Sequence, residues 1–153
     1  MRSFRLETAI AAPPTECFDL SLSVDAHTDS MAASGERAIA GVTTGVMNLG
    51  DSVTWRARHF GIPFRMTSAI TEFERPHRFV DQQQHGPFAQ WWHEHTFTAI
   101  SADETLMMDI VEFRSPLGLL GTIADRVVLD HYLPRLIRRR NAWLKTTLER
   151  PDR

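Results

Sequence analysis

The sequence predicts an α+β fold in which a curved antiparallel sheet of about seven strands surrounds one long C-terminal helix, with two short helices after the first strand. Three observations carry this. The middle of the chain is a succession of short segments that alternate apolar and polar residues between turn signals. From Gly118 or Leu119 to about Glu149 the apolar period changes to three- and four-residue steps, the mark of an amphipathic helix. Between these regions, Gly86 to Pro116 reads as a strand hairpin whose apolar face is interrupted by two histidines and an aspartate.

Each element has its own signal. In Ser3 to Ile10, Phe4, Leu6, Thr8 and Ile10 alternate with Ser3, Arg5, Glu7 and Ala9, the pattern of a half-buried strand. Pro13 and Pro14 end it and preset the first turn of a helix with Cys17, Phe18 and Leu20 inside. A second short helix starts near Ser23 or Val24 and runs to about Ala33. Glu36 to Val42 is a candidate strand, and Asn48-Leu49-Gly50-Asp51 turns the chain into Ser52 to Phe60, where Val53, Trp55, Ala57 and His59 share the inward face. Gly61 and Pro63 lead into Phe64 to Phe73, and Arg75-Pro76-His77 turns the chain into Arg78 to His85. His85 is placed at a strand end, where Gly86 and Pro87 shape a turn or bulge. In the hairpin, Trp91, His93, His95 and Phe97 face the same way as Met107, Asp109, Val111 and Phe113, with the turn near Ala102-Asp103. The terminal helix carries Leu120, Ile123, Val127, Leu133, Ile137, Leu144 and Leu148 on its stripe, and Pro134 is expected to kink it.

Composition excludes several classes. The 153 residues fit a single domain, 1–153, long enough to bury a core without staples. With 17 basic and 19 acidic residues there is no basic excess of the kind nucleic-acid binders show, so no nucleic acid is expected as partner. Neither a signal peptide nor a run of about 20 apolar residues is present, so an integral membrane segment is not expected. Cys17, the single cysteine, has no partner for an internal disulfide, which is compatible with a cytoplasmic location. Neither GxGxxG nor GxxxxGK[ST] occurs, so nucleotide binding has no support and no cofactor is expected. A homo-oligomer is compatible with the sequence.

His95 and Asp109 are the candidate catalytic pair. A hairpin pairing residues whose numbers sum to about 204 sets them directly opposite on the inward face. A carboxylate bonded to imidazole fixes its tautomer and raises its basicity, as acid-base chemistry needs. The same pair also satisfies two buried polar groups structurally, or orients a ligand. His93 and His95 at i, i+2 could ligate zinc if His59 or Asp109 supplied a third donor, but no cysteine or HExxH spacing supports a metal, and none is expected. Trp55, Phe64, Met66, Phe88, Trp91, Phe97, Met107 and Phe113 either line a pocket or form core. Trp92 faces away from Trp91. The run Arg138-Arg139-Arg140, with Arg135, reads as a solvated helix face.

The opening ETAIAAPPTECFDLSLSVDAH, the middle section NLGDSVTWRARHFGIPFRMTSAITEFERPHRFVDQQQHGPFAQWWHEHTF and the segment MMDIVEFRSPLGLLG carry a resemblance. Together they resemble the START/polyketide cyclase-dehydrase (SRPBCC, Bet v 1-like) superfamily, in particular a bacterial cyclase/dehydrase-like subgroup. The resemblance spans nearly the whole chain and implies the helix-grip fold, with an apolar ligand between sheet and terminal helix. The leading expectation is a binding protein for a lipid, quinone or polyketide-like aromatic, oriented by His95, Asp109 and His59. The second is a cyclase or dehydratase in which the His95/Asp109 pair moves protons. The third is an interaction domain whose cavity is merely structural.

Overall fold

Alternating apolar segments need a partner surface on one side only, and seven of them meet that need in a single antiparallel sheet. The computed structural model describes residues 1–116, 118, 123 and 125–151. The strands are β1 (Arg2–Ile10), β2 (Arg37–Gly41), β3 (Ser52–His59), β4 (Ile62–Glu74), β5 (Arg78–His85), β6 (Gln90–Ser101) and β7 (Glu104–Arg114). Their spatial order is β1-β7-β6-β5-β4-β3-β2, so the first strand pairs with the last, Leu6 opposite Asp109. Helices α1 (Pro14–Ser21) and α2 (Val24–Ser30) follow β1, and α3 (Asp130–Leu148) closes the fold. A sheet curved around one long helix, with two short helices after the first strand, is the helix-grip architecture.

Local chemistry sets the boundaries. Pro14 opens α1 where its missing amide hydrogen is not needed. The Ser23 hydroxyl accepts the Ala26 amide and caps α2, which ends at Ser30, three residues short of the expected Ala33; a 3-10 turn over Ala32–Ser34 takes its place. Phe60 and Gly61, with φ of 55° and 73°, make the two-residue turn between β3 and β4, whose strand twist requires positive φ at both positions.

The core lies between the sheet and the helices. Phe18 of α1 is fully buried and meets Phe73, Phe79 and Phe97 edge-on at centroid distances of 5.4, 5.5 and 5.4 Å. Leu133, Ile137, Leu144 and Leu148 of α3 are buried as the apolar stripe requires. Lys145 and Glu149 tie the end of this helix to β1 and its exit, through the Ala9 carbonyl and the Ala11 amide.

The terminal segment departs from expectation in two ways. Residues 117, 119–122 and 124 lie outside the described residues, and with them the expected helix start at Leu119 and the stripe residue Leu120. Ile123 and Val127, placed on the buried stripe from their spacing, are instead 55% and 65% exposed. Asp125–Leu129 form a π-helical turn, whose i→i+5 bonding adds a residue to the turn and puts Ile123, before it, and Val127, within it, out of phase with the stripe of α3.

Candidate functional site

Between the sheet and α3 lies a cavity of about 470 Å³. That lies within the roughly 300–1,000 Å³ of small-molecule sites. β3 and β4 pair Trp55 with Met66 and Ala57 with Phe64, so alternation delivers all four side chains to its wall. Phe88 reaches it from the β5–β6 turn, which Gln83 holds by accepting the Phe88 amide and donating to the Phe88 carbonyl. Gly86 permits this arrangement, since a Cβ there would lie 2.5 Å from Gln83 Oε1. Trp91, His93 and His95 complete the predicted lining from β6, and His59 from the end of β3. His85 ends β5 on the exposed surface.

Four predicted residues do not reach the cavity wall. Phe97, Met107 and Phe113 are fully buried in the packing around it, and Asp109 lies behind the histidines rather than facing the cavity. Alternation puts these side chains on the inward face, but on β6 and β7 part of that face is covered by α1 and by Leu133 of α3.

The hairpin register is as expected: His95 stands opposite Asp109, and Trp91 opposite Phe113. The hydrogen bonding is not the expected one. Asp109 is bonded chiefly to His93, with Nε2 2.8 Å from Oδ1, whereas His95 Nε2 lies 2.7 Å from Oδ2 of Asp81 on β5. His95 Nδ1 approaches Asp109 Oδ1 to 3.2 Å without forming a hydrogen bond. The side chains of a strand splay around the directly opposed pair, so a neighbour two residues away can take the bond.

α3 adds two residues. The Asn141 side-chain amide donates to Asp109 Oδ2 at 2.6 Å, and Arg140 donates to Asn141 Oδ1 at 3.1 Å while lying 3.6 Å from Asp109 Oδ1. Arg140 is 4% exposed, against the expectation of a solvated basic run; Arg138 and Arg139 do face solvent. The reason is helical phase, because Arg140 lies seven residues after Leu133 and four before Leu144 on the buried stripe.

Burial alone would raise the Asp81 carboxyl, but His93, His95 and Arg140 draw it down to about 2. Burial likewise opposes ionisation of Asp109, and its hydrogen bond to His93 together with the nearby His95 ring outweighs that, holding it well below the usual carboxylate range. His93 is pushed down by burial and by His95, against the pull of the two carboxylates. Arg140 is the one permanent cation set against the two carboxylates.

A second polar pair stands elsewhere on the wall: His59 Nδ1 lies 2.5 Å from the Tyr132 hydroxyl, and the Tyr132 ring packs at a 45° tilt against the exposed ring of Phe60. Burial lowers the His59 pKa and raises that of Tyr132. Asp81, Arg140, Asn141 and Tyr132 are not among the site residues expected from sequence. Asp81 was legible in principle, because Phe79 and Asp81 must share a face of β5.

Neither a protein-family model nor a curated relative matches the sequence. Solved structures do. The Zhui aromatase/cyclase from Streptomyces sp. R1128 superposes with a TM-score of 0.79 at 16% identity, over 99% of this chain and 96% of that one. This is the helix-grip fold of START and Bet v 1-like proteins. A START superfamily protein from Mycobacterium smegmatis gives a TM-score of 0.72 at 12% identity, over 96% and 97% of the two chains. TTHA0849 from Thermus thermophilus gives 0.73 at 14%, over 95% and 99%. At such identities the likeness is one of fold.

Proposed function

We propose that this chain, as a single domain, encloses a small hydrophobic molecule, a lipid, quinone or polyketide-like aromatic, between its sheet and α3. The observation that carries the reading is the cavity, whose aromatic and aliphatic wall is interrupted by a compact charged cluster. Each 100 Å² of ligand surface removed from water contributes roughly 2.5 kcal/mol, so apolar burial supplies most of the affinity. His95, His93 and Arg140, all on the wall, receive the polar end. Among the described residues no helix is long and apolar enough to cross a membrane. The cytoplasmic location we propose rests on Cys17, a lone cysteine with no disulfide partner in the chain, as a reducing compartment allows.

A second reading is favoured by the His95–Asp81 bond, a carboxylate-oriented imidazole facing an apolar cavity. In a cyclase or dehydratase, His95 would take a proton from carbon beside a ketone and the resulting enolate would attack a second carbonyl, with water lost afterwards. Such general base catalysis contributes about 10²- to 10⁴-fold. The aromatase/cyclase likeness supports this reading through fold alone.

Native mass spectrometry of freshly purified protein, followed by organic extraction, tests both. A co-purifying lipid or quinone supports the carrier. Protein that is empty yet converts an aromatic precursor supports the enzyme, and protein that is empty and inert leaves an interaction domain with a structural cavity.

A further inference from the structure

The polar end of a hydrophobic ligand needs one or two hydrogen-bond partners, yet β5, β6 and β7 bring two carboxylates and two imidazoles together. Their arrangement is ordered. The His93 and His95 rings stack with centroids 3.8 Å apart and planes at 26°, which sorts their nitrogens into two sets. One set, His93 Nε2 and His95 Nδ1, faces a single oxygen, Asp109 Oδ1, at 2.8 and 3.2 Å. The other, His93 Nδ1 and His95 Nε2, faces a single oxygen of Asp81, Oδ2, at 3.7 and 2.7 Å. Asp109 is fully buried behind the rings, whereas Asp81 and both histidines line the cavity.

We propose that Asp81, His93 and His95 form a two-histidine, one-carboxylate site for a divalent transition-metal ion, with its remaining coordination positions open to the cavity. The donor atoms of the three residues all lie within 4.8 Å of one another. An ion about 2.1 Å from its ligands holds neighbouring donors about 3.0 to 3.4 Å apart, and the two distances to Asp81 bracket that span. Two imidazoles with one carboxylate suit zinc or iron(II) and not calcium or magnesium, which prefer oxygen-only sites. Neither His59 nor Asp109 is the third ligand: His59 is bonded to Tyr132, and Asp109 lies on the far side of the rings.

The strongest support is a nitrogen with nothing to bond. Without a metal, His95 Nε2 donates to the Asp81 carboxylate, while Nδ1, buried and 3.2 Å from Asp109 Oδ1, has no hydrogen-bond partner. A metal on Nε2 moves the proton to Nδ1, which then donates towards Asp109. His93 already donates from Nε2 to Asp109, leaving Nδ1 for the ion. Asp109 thereby becomes the outer carboxylate of both histidines, itself held by Asn141, as metal-ligating imidazoles require. The ion adds two positive charges to the cluster, so the open positions favour an anionic oxygen, such as a carboxylate, enolate or phenolate. None of this depends on which organic ligand the cavity takes, or whether it takes one.

The test uses protein stripped with a chelator and titrated with Zn(II) or Co(II). One ion should bind per chain, tenfold or more weakly in Asp81→Asn and 10- to 100-fold more weakly in Asp109→Asn, with His59→Gln unchanged. Nitrogen NMR of the wild-type imidazoles supplies a readout that needs no variant: on adding Zn(II), the His95 proton should move from Nε2 to Nδ1. No stoichiometric uptake, wild-type affinity in a folded Asp81→Asn protein, or an unchanged His95 tautomer would each overturn the site.

Discussion

Asp109 of β7 and Asn141 of α3, 32 residues apart in sequence, meet through a 2.6 Å hydrogen bond in the buried interior. This contact joins β7 to the terminal helix and fixes the carboxylate that both histidines approach. Replacing Asn141 with Leu leaves Asp109 Oδ2 without its donor and should cost about 2 kcal/mol. Asp109→Ala strands His93, Asn141 and Arg140 together and should cost about 3–5 kcal/mol. Urea unfolding of the two variants measures both, and equal costs would mean that Asp109 is not the hub of the cluster.

Neighbouring arginines should behave oppositely. Arg140→Leu removes the donor to Asn141 Oδ1 and should lower stability by about 2 kcal/mol. Arg139→Ala, on the exposed face of the same helix, should stay within about 0.5 kcal/mol of wild type.

Cavity volume should matter more to binding than any one polar group. Ala57→Trp should fill the space beside Phe64 and abolish capture of a hydrophobic ligand, whereas His95→Gln should weaken it only modestly. Affinities for whichever molecule extraction yields decide the point. Normal binding by His95→Gln with turnover lost by 10²- to 10⁴-fold would establish the enzymatic reading instead.

His59 gives the fold a pH dependence of known sign. Its folded pKa lies below the ordinary 6.5, chiefly through burial, so the unfolded chain takes up its proton first as pH falls. Its contribution therefore weakens stability as pH drops through about 6.5 and below. His59→Gln should flatten the stability profile between pH 8 and pH 5, as urea midpoints at several pH values will show; an unaltered slope rules this out.

What could be read from sequence follows from how local each rule is. Strand alternation is local, so the inward faces of β3, β6 and β7 were legible. The short turn at Ala102-Asp103 also carried the register that sets His95 opposite Asp109. Asp81 escaped because it precedes three glutamines and joins His93 across an irregular connection, whose register no short-range signal fixes. Arg140 and Asn141 were hidden by the charge of their neighbours, although the spacing from Leu133 to Leu144 already put them on the buried stripe. Ile123 and Val127 failed for the converse reason: the periodic pattern was present, but a π-helical turn shifted its phase.

The pairing of β1 with β7 bears on how the chain is made. Arg2 to Ile10 leave the ribosome about a hundred residues before their hydrogen-bonding partners, Thr105 to Phe113. Over that interval β1 is an unsatisfied edge, able to pair with any other exposed strand. Loop-closure entropy must be overcome before this contact gives any return, so sheet completion comes late and refolding is slow for a chain of this size. A nascent chain halted before Glu104 has a strand with no native place to go.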